Sequence, residues 1–135
     1  MSPDKIIIDA KDTVLGRLAS YAAKQSLLGK NVVILNCDQA VITGNRSVVL
    51  TKYKQARARG GSTLKGPHFP KEPFRLLKRT IRGMLSHRQI RGTLALKRII
   101  CYNQSPPEYK DASLVSIKRD LKTKSMTLKE LSSLI

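Results

Sequence analysis

Arg75, Lys78, Arg79 and Arg82 recur at i, i+3, i+4 and i+7. On an α-helix that spacing stacks four cations along one face. No acidic residue interrupts the row. The chemistry such a row suits is the binding of phosphates. An arginine fork takes phosphate oxygens in pairs, and neutralising a polyanion releases its condensed counterions. Lys52, Lys54, Arg57, Arg59 and Lys65 form a second group that runs into a glycine-rich stretch. There Gly60, Gly61 and Gly66 would let a foreign backbone approach closely. His68 follows, with a ring suited to a phosphate or a base. Arg88, Arg91, Lys97 and Arg98 make a third group, and Arg17 and Lys24 could extend the footprint. For each set the plain alternative is a solvated charged face.

The whole chain shows the same bias. Its 135 residues carry 26 Lys and Arg against 9 Asp and Glu, a formal charge of +17. Residues 46–98 hold fifteen of the basic side chains and the single acid Glu72. A surface that serves only solubility mixes its signs, so this segment reads as an electrostatic footprint for a polyanion. Apolar residues make up 41% of the chain, enough for a real core. With no Trp, two Phe and four Tyr, that core must rest on aliphatic side chains, and recognition of single strands by stacking fits poorly.

Other chemistries find little support. Neither G-x-x-x-x-G-K-[ST] nor G-x-G-x-x-G occurs. Asp9, Asp12 and Asp38 fall near strand ends, where α/β sheets often place ligands, but caps and turns account for them equally well. A magnesium-dependent nuclease is the enzymatic form worth testing, and two histidines do not assemble a nucleophile, base and orienting group. Cys37 and Cys101 lie in or beside apolar runs and form no disulfide framework, so two buried free thiols in a reducing compartment are expected. With His68 and His87 they lack zinc-site spacing. No run approaches the ~20 apolar residues of a membrane span. The early IIID segment leaves no room for a signal peptide. The expectation is a cytosolic protein without cofactor or metal.

The cations need a scaffold, and the pattern supplies one. Ile6-Ile7-Ile8 reads as a strand. Asp12 or Thr13 can cap a helix running to Leu28, with Leu15, Leu18, Ala19 and Ala22 inward. Gly29 can stop that helix, and Gly16 inside it suggests a close approach of something to the backbone. Val32–Leu35 is a continuous apolar run, as in strands buried on both faces, so the opening is a βαβ unit. Ala40–Thr43 is a short apolar piece. A second helix is expected over Arg46–Ala58 with Val48, Val49 and Tyr53 inward, and a loop over Arg59–Pro73. Pro73 suits the first turn of a helix over Phe74–Leu85. There Phe74, Leu77, Ile81, Met84 and Leu85 form an apolar stripe ~120° from the cations. A further helix over Arg88–Arg98 turns Ile90, Leu94 and Ala95 inward. Ile99–Tyr102 is a last strand, and Thr127 with Glu130 caps a short terminal helix carrying Leu128, Leu131 and Leu134.

Several blocks also resemble a known family. IDAKDTVLGRLAS (Ile8–Ser20) resembles the opening of the universal large-subunit ribosomal protein L13 family, and VVILNCDQAVITGNR (Val32–Arg46) resembles its next block. TIRGML with the following His87, then Arg91-Gly92, and KRIICYNQSPPEY (Lys97–Tyr109) continue in the same order. GPHFP (Gly66–Pro70) and Pro106-Pro107 are similar to the archaeal and eukaryotic branch. The tail beyond Lys110 departs from the family pattern apart from MTLKELSSL, which is similar to the archaeal ending. The resemblance implies a three-layer α/β/α domain with a four-stranded, largely parallel sheet. The resemblance covers roughly residues 5–110, and the implied domain is residues 1–110 with the basic segment 46–98, followed by an extension over 111–135. It also implies a non-enzymatic constituent of the large ribosomal subunit that binds ribosomal RNA beside neighbouring ribosomal proteins. No membrane association and no homo-oligomer are expected.

Overall fold

The computed structural model describes residues 5–58, 70, 72–109, 114–116 and 124–134. In chain order these form β1 (Lys5–Asp9), α1 (Leu15–Leu27), β2 (Asn31–Leu35), a 3-10 turn (Cys37–Gln39), β3 (Val41–Thr43), α2 (Arg46–Ala58), α3 (Pro73–Met84), α4 (Ile90–Lys97), β4 (Ile99–Cys101), a second 3-10 turn (Pro107–Tyr109), β5 (Val115–Ser116), β6 (Ser125–Thr127) and α5 (Leu128–Leu134).

β1, α1 and β2 make the expected βαβ unit. The two strands pair in parallel over five residues, with Ile6 beside Val32 and Ile8 beside Ile34. β4 joins the far edge of β2, and β5 joins the free edge of β1. The sheet is therefore four parallel strands in the order β4-β2-β1-β5, and the fold is α/β. Val32 to Leu35 are all buried, as a central strand with covered faces requires. β3 pairs with β6 in a separate antiparallel ribbon, Val41 beside Thr127 and Thr43 beside Ser125.

The apolar stripe of α1 packs as its spacing dictates: Leu15, Leu18, Ala19 and Ala22 are buried, joined by Ala23 and Ser26. Its end is a Schellman closure. Gly29 adopts φ +95, its N–H donates to Ser26 O, and Lys30 N–H donates to Gln25 O. Its start differs from expectation. Val14 occupies the cap position in extended backbone and offers no side-chain acceptor. Asp12 sits at φ +57 with its N–H on Gln39 O, while Thr13 is buried and its carbonyl receives Val41 N–H at 2.9 Å. Both candidate caps are consumed by the junction with β3. The space around Gly16 is open, so no neighbour within the fold demands a glycine there.

One core joins the layers. Ile8, Val32, Ile34 and Ile99 of the sheet meet Leu18 and Ala22 of α1 and Leu76, Leu77 and Ile81 of α3. Met126, Leu128 and Leu131 enter the same cluster, so the segment beyond residue 110 contributes to it. Thr127 Oγ1 accepts Glu130 N–H at 3.2 Å, the expected cap of the terminal helix. Leu134 remains exposed.

Four apolar residues expected inward face solvent: Val48, Met84, Ile90 and Leu94. α2 turns Val49 and Tyr53 toward the core, which leaves Val48 on the outer side. α4 packs through Gly92 and Ala95 instead of its large residues. A Cβ on Gly92 would collide with the Ser86 carbonyl oxygen, so the helix rests directly on the preceding backbone. Ile90 and Leu94, half a turn away on the helix, must point outward.

Candidate nucleic-acid interface

α3 is the best-defined part of the basic segment. Pro73 begins it, and the Phe74 N–H that would otherwise lack a partner donates to Asn103 Oδ1 at 2.9 Å. Asn103 lies 29 residues downstream. No local spacing marks it, and it was missed in the sequence. The buried side is Pro73, Leu76, Leu77 and Ile81. Leu76 takes the place expected for Met84, which rotates the buried stripe. At 100° per residue its centre then lies about 180° from that of Arg75, Arg79 and Arg82, instead of ~120°. Those three arginines are exposed.

The fourth cation of the row behaves differently. Lys78 is half-buried on the flank of α3, and its Nζ donates to the Ile99 carbonyl of β4. Burial holds its pKa below the ordinary lysine value, with a smaller opposing influence from Cys101. Arg98 is likewise drawn inward: its Nη1 donates to Ser26 O at 2.9 Å, at the carbonyl end of α1. These two side chains tie elements together as well as carrying charge.

Arg88, Arg91 and Lys97 are exposed around α4 and the turn before it. Lys52 and Lys54 are exposed on α2, and Lys52 Nζ stands 5.8 Å from the centre of the Tyr53 ring. Arg57 belongs to the last turn of α2. Arg59, Lys65 and His68, with most of the Gly/Pro-rich loop, lie outside the described residues. Arg17 and Lys24 are exposed on α1. His87 closes α3, its Nδ1 lying 3.2 Å from the Arg82 carbonyl oxygen.

Acids near these cations are few. Glu72 Oε2 lies 3.9 Å from Arg75 Nε, and both side chains are more than half exposed, so the pair is weak. Arg46 is engaged more closely, its Nη1 2.7 Å from Glu130 Oε1. The aspartates do not converge. Asp9 Oδ1 accepts Lys11 N–H and Asn36 Nδ2 at 3.1 and 3.0 Å, the work of a turn. Asp38 lines a hollow of about 320 Å³ shared with Pro73, Asn103, Gln104, Lys129, Ser132 and Ser133. That lining brings no second carboxylate and no imidazole to it. Among the described residues no three His, Cys, Asp or Glu side chains are grouped to hold a metal ion, and no helix is long and apolar enough to cross a membrane.

Comparison with known proteins adds a separate line of evidence. A family model described as "Ribosomal protein L13" matches residues 4–108. The chain is 48% identical over 112 residues to "Large ribosomal subunit protein uL13" of Methanosarcina barkeri, covering 82% of this chain and 79% of that protein. It is 43% identical over 129 residues to the protein of the same name from Thermoplasma volcanium, covering 93% and 94%. With that of Methanocaldococcus jannaschii it shares 39% over 129 residues, 93% of each. All three relatives are archaeal and so fall within the archaeal and eukaryotic branch that GPHFP and the double proline resemble.

Proposed function

The chain belongs to the ribosomal protein L13 family, a family of structural, non-enzymatic proteins, and on that premise we propose that it binds and helps fold large-subunit ribosomal RNA through its basic segment. As a constituent of the large ribosomal subunit it meets both the RNA and neighbouring ribosomal proteins, in the cytoplasm and as a single copy of the chain.

The observation that carries this reading is the division of α3. Leu76, Leu77 and Ile81 fix one side in the core, so Arg75, Arg79 and Arg82 stand together on a rigid support facing solvent. Helical RNA is recognised through its shape, phosphates and 2′-hydroxyls, and planar guanidinium groups suit those targets. Lys78 adds charge at the flank. We assign Lys52, Lys54 and Arg57 of α2, the following Arg59, Lys65 and His68, and Arg88, Arg91, Lys97 and Arg98 in and around α4 to the same RNA contact. Charge alone would give affinity for any polyanion. The cations on packed helices would give position, because their spacing is set by the core and not by flexible stems.

Sucrose-gradient fractionation with immunodetection tests the assignment. The protein should sediment with the large subunit and with whole ribosomes. A signal confined to free protein, or to the small subunit, would overturn it. Duplex DNA competing as well as a large-subunit RNA fragment would point instead to an unspecific architectural binder.

A further inference from the structure

Cys37 and Cys101 are far apart in sequence and adjacent in the fold. Cys37 opens the 3-10 turn after β2 and is fully buried, whereas Cys101 ends β4 and is partly buried. Three backbone relations bring them together. The β2–β4 register sets Ile34 beside Cys101. Tyr102 N–H donates to Ile34 O at 2.9 Å, and Cys37 N–H donates to Tyr102 O at 3.0 Å. The Cys37 thiol donates to the Ile34 carbonyl at 3.7 Å, and the Cys101 sulfur is its main electrostatic neighbour.

A cation stands at the same place. Lys78 reaches from α3 to the carbonyl of Ile99, two residues before Cys101 on β4. Alternate residues of a strand share a face, so Ile99 and Cys101 both look toward the layer that contains α3. Lys78 plays no part in this beyond holding a positive charge near the sulfur.

We propose that Cys101 and Cys37 form a dithiol site oxidised by hydroperoxides, with Cys101 the attacking sulfur and Cys37 the resolving one. The electrostatics favour that order. The hydrogen bond from Cys37 holds the Cys101 thiol below its ordinary pKa; burial opposes this and Lys78 assists it. Cys37 is pushed above its ordinary value by the same hydrogen bond and by burial, with Asp38 adding to the rise. One sulfur is thus biased toward thiolate, and its neighbour keeps the proton.

The reaction balances without any further reagent. The Cys101 thiolate attacks one peroxide oxygen, the O–O bond breaks, and the departing hydroxide takes a proton, leaving a sulfenic acid. The Cys37 sulfur then attacks the Cys101 sulfur, its proton goes to the departing hydroxyl, and water leaves as the S–S bond forms. Two electrons pass from the sulfur pair to the peroxide. The product would link the end of β2 covalently to the end of β4.

The test uses the full-length reduced chain and hydrogen peroxide in small molar excess at neutral pH. The chain is then denatured, alkylated and weighed intact. The expected result is loss of two hydrogens, no alkylation, reversal by dithiothreitol, and a non-reduced peptide joining Cys37 to Cys101. Two alkylated thiols, oxygen adducts without the link, or links only between separate chains would overturn the proposal. Cys37→Ala should leave Cys101 as a sulfenic acid trapped by dimedone. Lys78→Gln should slow the peroxide reaction several-fold, and Lys78→Arg should restore it. Unchanged rates in Lys78→Gln, with circular dichroism showing a native fold, would remove Lys78 from the site.

Discussion

Two glycines show how far a single atom matters in this chain. Gly83 of α3 has open space where a Cβ would go, but Gly92 of α4 has the Ser86 carbonyl carbon and oxygen there. Gly83→Ala should therefore stabilise the free protein, by up to ~1 kcal/mol from helix propensity. Gly92→Ala should lower the melting temperature clearly, since relief requires moving α4 off the backbone beneath it. Thermal unfolding of the pair checks this, and equal shifts would mean that α4 does not rest there. Arginines divide in the same way. Arg98→Ala removes the donor to Ser26 O and should cost roughly 1–3 kcal/mol if that carbonyl stays dry. Arg91→Ala, at an exposed position, should stay within about 0.5 kcal/mol in a denaturant titration. Residue type marked the cations as a group. It could not say which would be drawn inward, because Ser26 and Ile99 are partners made by tertiary contact.

At the scale of elements, α3 separates packing from charge. Leu77→Ala or Ile81→Ala should cost ~2–5 kcal/mol, since both side chains are fully buried. The double change Arg75→Glu with Arg79→Glu should weaken binding of large-subunit RNA while the chain still unfolds cooperatively. Equal unfolding by both kinds of variant would place the charged face wrongly. α5 gives a milder case. Thr127→Ala removes its cap and should cost ~1 kcal/mol, while Glu130→Gln, breaking an exposed pair with Arg46, should cost less. α1 and α3 were legible from a strong helical period, and β2 from an unbroken apolar run bounded by polar residues. β5 and β6 were not, with two and three residues whose identity as strands comes from β1 and β3 alongside them. The α4 face was misjudged for a related reason. Large apolar side chains dominate a sequence pattern, but close contact between backbones is made by the small ones, Gly92 and Ala95.

Across the whole molecule, the excess of charge predicts how RNA affinity falls with salt. The logarithm of the binding constant should decline linearly with the logarithm of salt concentration. Replacing Arg75 or Arg79 by Gln should reduce that slope by roughly 1 each if each meets a phosphate. An unaltered slope would place both arginines away from the RNA. The order in which the chain is made adds a further consequence. β5 covers the open edge of β1, β6 pairs with β3, and Leu128 and Leu131 fill the core, all from the last quarter of the sequence. During synthesis the basic helices emerge while these edges still lack their partners, so a nascent chain stopped before residue 114 would carry the whole basic segment 46–98 on an unfinished sheet, prone to pairing with other strands until translation ends.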